Sequence, residues 1–181
     1  GHFGSSVILK LQEDGKILLT HGGTEIGQGC NTVFCQMAAE ILGIPFEDVI
    51  QGPSDSDTAI LDSGMFSDRC TFWDGNATIE AANDLKRQLA DIAAQKLEEK
   101  PEELLFKNSR IFVKENPEKG MKLIDAVRIA YYDLGTPLYG RGYWAATDID
   151  LVNWKTGEGN LAHGIDFIAT AIEMDVDTET G

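Results

Sequence analysis

The sequence contains no apolar run close to the roughly 20 residues that a membrane-spanning helix needs, which excludes a simple transmembrane anchor within it. Positive charge is scarce: 15 Lys and Arg stand against 30 Asp and Glu, for a net charge of −15. Such a surface argues against nucleic acid or an anionic membrane as partner. It leaves open one anion held by backbone N–H groups. Cysteine is limited to 3 residues, an odd number that points to a reducing, cytoplasmic setting without structural disulfides. The opening "GHFGSSVILK" lacks a basic start, an apolar signal region and an initiator Met. With the closing "DVDTETG", it suggests a domain of a longer polypeptide, with residues 1–181 as one domain.

What is present is the composition of a globular protein, 43% hydrophobic and 25% charged. Alternation in "SSVILKL" predicts a strand over Ser5 to Leu11, and "QEDG" a turn into a second strand, "KILLTHG". Val33, Phe34, Met37, Ala38, Ile41 and Leu42 repeat at helical spacing, ended by Gly43 and Pro45. A short strand is expected over Asp48 to Gln51. A long helix is expected from about Phe72 to Glu99, with Ile79, Ala82, Leu85, Leu89, Ile92, Ala93 and Leu97 as its apolar stripe. Leu104 to Lys107 and Arg110 to Lys114 suggest a hairpin turning at Asn108-Ser109, and Lys122 to Tyr132 a helix. Gly135 to Gly164 reads as a long open loop, and Ile165 to Val176 as the last strand, central in a sheet. The order β-β-α-β-α-β, with a small β-β-α insertion, predicts an α+β, two-layer domain with a mixed β-sheet.

The stretch "THGGTEIGQGCNT" carries Gly22, Gly23, Gly27 and Gly29 between a strand and a helix start. Glycine is entropically unfavourable in folding, so four close together need a reason. Gly27 and Gly29 let the backbone approach a ligand, Gln28 offers an amide donor and acceptor, and helix-start N–H groups favour anions. The spacing matches neither the dinucleotide fingerprint nor a P-loop. A purely structural turn explains the composition equally well. A second segment, "FSDRCTFWDGNA", places Ser67, Arg69 and Thr71 at the start of the long helix, donors that a phosphate prefers. Simple helix capping is the plainer explanation for Ser67 or Thr71. Two such helix starts in one small domain point to one extended anionic ligand.

"GGTEIGQG…TVFCQMAAEILGIPFEDV" followed by "DT…DSGMFSDRCTF…GNATIEAANDL" resembles the molybdopterin-binding large subunit of the xanthine dehydrogenase and aldehyde oxidase family. The resemblance runs almost from end to end. Phe66, Ser67, Arg69, Thr71, Phe72, Gly75, Asn76 and Ala77 follow the pattern of 4-hydroxybenzoyl-CoA reductase-like members. The resemblance implies that Gly27, Gln28 and Gly29, with Ile26 beside them, lie against the pyranopterin of the molybdenum cofactor. It implies that Ser67, Arg69, Cys70 and Thr71 hold its phosphates, in the molybdopterin or cytosine dinucleotide form. Asp68 stands where a small or hydroxyl residue is expected, and it is unfavourable beside a phosphate unless it points away or pairs with Arg69. The family's general-base glutamate belongs to a later part of the subunit, so no catalytic residue is expected in this chain, and Glu25 is not that base. The resemblance further implies an oxidoreductase acting on a small aromatic, aldehyde or acyl-CoA substrate. Iron–sulfur and flavin (FAD) centres would lie on partner subunits or domains, and the rest of the large subunit would pack on this chain.

Other residues have plainer readings. Cys30 and Cys35 with His21 fit no common zinc spacing, and the two cysteines read as buried thiols, so no metal ligand is expected. "DSDT" lacks the rest of a calcium loop. His2 and His163 are isolated. Tyr143, Trp144 and Trp154 could line a channel, cover the core or meet another domain. The rival to a cofactor domain is a cofactor-free accessory or scaffold domain that binds partner subunits.

Overall fold

The computed structural model describes residues 4–66, 69–146, 152–159 and 169–181. The chain divides into two units, 1–148 and 149–181.

In the first unit, β1 (Ser5–Leu11) and β2 (Ile17–His21) form the expected hairpin, antiparallel with Val7 opposite His21. Alternation puts Val7, Leu9, Leu11, Ile17 and Leu19 in the core. Helix α1 (Cys30–Leu42) buries Phe34, Ala38 and Leu42. Gly43 ends it in the left-handed region, φ 63°, with its N–H donating to the Ala39 and Glu40 carbonyls. β3 (Val49–Gln51) then pairs parallel to β2. A π-helical turn over Cys70–Asp74 leads into α2 (Gly75–Leu97).

The α2 face turned inward is Ala77, Ala81, Ala82, Leu85, Leu89 and Ala93. Ile79, expected in that stripe, is instead exposed. The helix packs its alanines against the sheet, and the bulkier Ile79 falls on the outer face.

β4 (Leu104–Lys107), β5 (Arg110–Val113) and β6 (Asn116–Lys122) make a separate antiparallel sheet. The first two are the expected hairpin, turning at Asn108 and Ser109, both at positive φ. α3 (Leu123–Arg128) continues into a second π-helical turn, Ile129–Asp133. β6 escaped the sequence reading because it is polar and mostly exposed.

The main departure is the final strand. It is β7 (Tyr139–Trp144), inside the stretch expected to be an open loop, and it completes the mixed sheet β3-β2-β1-β7. The inward positions of β7 are Gly140 and Gly142, so the strand carries no apolar alternation to read. Their lack of a side chain lets α2 lie directly on the strand. A Cβ at Gly142 would collide with the Ala77 carbonyl oxygen, and one at Gly140 with that of Ala81.

In the second unit, Asn153 and Glu158 bridge across a tight turn that leaves Trp154 exposed. The strand expected over Ile165 to Val176 does not form in its described part. Residues 169–176 have no regular structure, and Ile172, Met174 and Val176 are exposed. The last strand of the described sheet is instead β7, which stands at its edge beside β1 and not at its centre. The rest of that segment, 165–168, and His163 lie outside the described residues, as does His2.

Candidate cofactor-binding site

The four glycines of the first loop do two different jobs. Gly22 and Gly23 are packing positions: a Cβ would strike the Ile60 carbonyl oxygen at Gly22 and the Met65 methyl at Gly23. Gly27 and Gly29 have φ of 104° and 78°, and a Cβ at either would meet nothing within 4 Å. These two need glycine for their left-handed backbone, and they face open space.

Gly29 is the N-cap of α1 and has no side chain to cap with. The cap comes from Glu25. Its Oε1 accepts from Gly27 N at 2.9 Å and Gly29 N at 2.8 Å, and its Oε2 from Asn31 N at 3.2 Å. These amides, Gly29 foremost, hold the Glu25 carboxyl below the usual carboxylate range. The anion at this helix start is therefore the chain's own carboxylate. That differs from the expectation of free helix-start N–H groups waiting for an external anion.

Gln28 is also tied into the loop. Its Oε1 accepts from Ile26 N at 2.6 Å and its Nε2 donates to the Thr24 carbonyl at 3.0 Å. The same Nε2 lies 3.3 Å from Cys30 Sγ and 3.6 Å from Cys70 Sγ. Residues 42 positions apart thus meet: the glycine loop and the start of the second helix form one continuous surface. Ile26 stands 72% exposed at its edge. The result is a bare-backbone patch flanked by one apolar side chain.

Burial pushes the Cys30 thiol up to about 12, with Cys70 adding to the effect, and burial likewise raises Cys70. Both stay protonated at neutral pH, so neither is a thiolate nucleophile. Among the described residues, no group of three His, Cys, Asp or Glu side chains could hold a metal ion. His21, placed by β2, is buried: Gly23 N donates to its Nδ1 at 3.1 Å, which leaves Nε2–H to donate to Asn31 Oδ1 at 3.1 Å.

In the second segment, Thr71 is exposed at the helix start, while Ser67 and Asp68 lie outside the described residues. Arg69 points inward and is 5% exposed. Its guanidinium donates to the Gly64 carbonyl at 2.7 Å, to Asp62 Oδ1 at 3.3 Å and to Ser5 Oγ at 3.2 Å. It also lies over the Trp73 and Phe66 rings, at 4.9 and 5.3 Å from their centroids. Beneath it, Ser5 Oγ also meets Asp62 Oδ2 at 2.6 Å and Asp74 Oδ2 at 3.0 Å. Arg69 is thus a keystone under the turn, and the outward face falls to Cys70 and Thr71. Sequence reasoning missed Glu25 as a cap, and it missed Ser5, Asp62 and Asp74 altogether. Only Glu25 left a signal, a carboxylate four residues ahead of a helix cap without a side chain.

A glycine-backed patch thus lies beside a π-turned helix start, on a mixed sheet covered by two helices. The chain belongs to the molybdopterin cofactor-binding domain family, whose model matches residues 1–181. It is similar to the xanthine dehydrogenase molybdenum-binding subunit of Escherichia coli O157:H7, 36% identical over 126 residues, covering 68% of this chain and 17% of that protein. It is also similar to the carbon monoxide dehydrogenase large chain of Afipia carboxidovorans, 30% identical over 176 residues, covering 97% of this chain and 20% of that one. Among solved structures, quinoline 2-oxidoreductase from Pseudomonas putida 86 shares the fold with a TM-score of 0.74 at 24% identity, over 81% of this chain and 19% of that one. Reconstituted CO dehydrogenase from Oligotropha carboxidovorans matches with a TM-score of 0.72 at 28% identity, over 80% of this chain and 18% of that one. The chain therefore spans a fifth or less of the relatives named here. No described helix is long and apolar enough to cross a membrane.

Proposed function

We propose that residues 1–181 act as one cofactor-binding domain in the large subunit of a molybdenum-hydroxylase-type oxidoreductase. The observation that carries this reading is the Gln28–Cys70 contact, which joins the two family motifs into one surface. The residues fit the ring end of the cofactor. Gly27 and Gly29 leave a cradle that any Cβ would begin to fill, and Ile26 supplies an apolar edge. Cys70 and Thr71 are the described part of the segment toward the phosphates, and Ser67 belongs to the same motif in sequence.

The bound cofactor supplies redox chemistry at molybdenum. This chain's residues position it. Glu25 and Gln28 fix the glycine loop, and Arg69 fixes the second turn from below. A carboxylate already in the α1 amide nest also disfavours a phosphate there, which orients the ring end to this loop and the phosphate end to Cys70 and Thr71. The substrate is taken as a small aromatic, aldehyde or acyl-CoA compound, with 4-hydroxybenzoyl-CoA reductase-like chemistry as the specific reading. The cytosine dinucleotide form of the cofactor, iron–sulfur and flavin partner subunits and a cytoplasmic location complete it.

A cofactor-free scaffold is the second reading, favoured by the internal partners that Glu25, Gln28 and Arg69 already have. Metal and pterin analysis of the full-length protein, produced in a host that makes the cofactor, separates the two. The cofactor reading expects molybdenum and pterin in equal amounts, reduced by Gln28→Ala, which frees the Ile26 and Thr24 ends of the loop. Neither group bound would support the scaffold.

A further inference from the structure

We propose that Asp74 is a positioning residue that carries a proton in the folded protein, and that this proton holds the Arg69–Thr71 turn in place. The hydrogens available around Ser5 Oγ require that proton. A hydroxyl has one proton to give and two lone pairs to accept with. Arg69 has only donors, so its 3.2 Å contact takes one lone pair. The hydroxyl proton goes to the nearer carboxylate, Asp62 Oδ2 at 2.6 Å. The remaining contact, Asp74 Oδ2 at 3.0 Å, is a hydrogen bond only if Asp74 is the donor.

The surroundings assign the proton to Asp74 rather than Asp62. Asp62 also accepts from Gly64 N at 2.7 Å and from Arg69 at 3.3 Å, as an ionised group would. Asp74 is fully buried, and its Oδ1 has no hydrogen-bond partner among the described residues. An orphaned carbonyl oxygen of a neutral acid is tolerable there, while an orphaned carboxylate oxygen is far less so. Burial, reinforced by Asp62 and opposed by Ser5 and Arg69, raises the Asp74 carboxyl to about 7. Among the described residues, the charged and titratable groups around it are Asp62 from the preceding loop and Arg69 and Cys70 from the turn, with His21 of β2 facing Asp62. β1 contributes only the Ser5 hydroxyl.

Loss of the proton sets two carboxylates against one hydroxyl and one guanidinium in a water-poor interior. The 3.0 Å contact then joins two acceptors, and the guanidinium is drawn between Asp62 and Asp74. Arg69 is continuous with Cys70 and Thr71, so the outward face of the turn moves with it. On the cofactor reading above, which this part of the inference rests on, the phosphate end is held less well as pH rises through neutrality.

The test compares the full-length protein with its Asp74→Asn variant, since the Asn amide donates to Ser5 Oγ as the protonated acid does. Three readouts are followed across the neutral range: the infrared carbonyl band of a buried protonated acid, the fluorescence of neighbouring Trp73, and molybdenum retained after gel filtration. The parent is expected to show the band, lose it as pH rises, shift its Trp73 emission in step, and lose molybdenum. Asp74→Asn is expected to lack the band and to give flat fluorescence and retention. A parent without the band, or identical pH profiles for the two proteins, overturns the proposal. If neither protein holds molybdenum at any pH, the cofactor reading fails; the band and the Trp73 shift then still decide for or against Asp74.

Discussion

The Glu25 carboxylate accepts the Gly29 amide at 2.8 Å and caps α1 in place of the side chain that Gly29 lacks. The Gly27, Gly29 and Asn31 amides thus already hold an anion from within the chain, which ties the loop to the helix start before any ligand arrives. Glu25→Ala is expected to lower the melting temperature and to loosen residues 24–31, seen as faster amide exchange at Gly27 and Gly29. Glu25→Gln should recover part of the loss, because one amide oxygen can still accept. The lowered carboxyl of Glu25 adds stability that is present above the unfolded carboxylate range and lost as pH falls through its folded value. The two variants should therefore differ least from the parent in acid.

Arg69 gives a sharper contrast. As a surface ligand for phosphate, its removal would weaken binding and leave folding intact. Its 5% exposure and its bonds to Asp62, Gly64 and Ser5 say otherwise. Arg69→Ala leaves the buried Asp62 carboxylate short of its partner, a change of about 3–5 kcal/mol. Denaturant unfolding is expected to show that loss with no cofactor present. Unchanged stability would mean that Arg69 does not support the turn.

His21 titrates in the opposite sense to Asp74. Burial lowers its value from 6.5, against the weaker upward pull of Asn31 and Asp62. In the unfolded chain it takes up a proton below 6.5, whereas in the folded chain it stays neutral to lower pH. Its contribution to stability is thus complete above 6.5 and declines as pH falls below it. A ring titration by NMR should give a midpoint under 6.5 with the Nε2–H tautomer. A midpoint at or above 6.5 would remove His21 from the buried position described.

Much of this was legible in the sequence, and the omissions have physical causes. The β1–β2 hairpin, α1 with its Gly43 cap, and α2 are written in apolar periodicity and turn chemistry. Both family motifs are contiguous, so they could be found without a structure. β7 could not, because Gly140 and Gly142 fill its inward positions and contribute no hydrophobic signal. Ile165 to Val176 showed the reverse fault: it has an apolar pattern, but residues 169–176 form no strand. The Ser5, Asp62, Arg69 and Asp74 cluster joins residues up to 69 positions apart. No spacing rule reaches that far, and the inward turn of Arg69 follows from it.

The close approach of β7 and α2 makes Gly142 sensitive. Gly142→Ala forces a methyl group against the Ala77 carbonyl oxygen, an overpacking expected to destabilise by roughly 1–3 kcal/mol. Thermal unfolding reads this directly. A neutral result would show that the strand and helix can separate without loss, and that the sheet does not depend on their contact.

The central claim is that the glycine loop and the second helix start form one cofactor surface. A structure of the full-length protein loaded with its molybdenum cofactor tests it most directly. The account expects the pterin ring in van der Waals contact with Gly27 and Gly29, and the phosphates on the Cys70–Thr71 side. A ring seated away from Gly27 and Gly29, or phosphates in the amide nest now filled by Glu25, would contradict it.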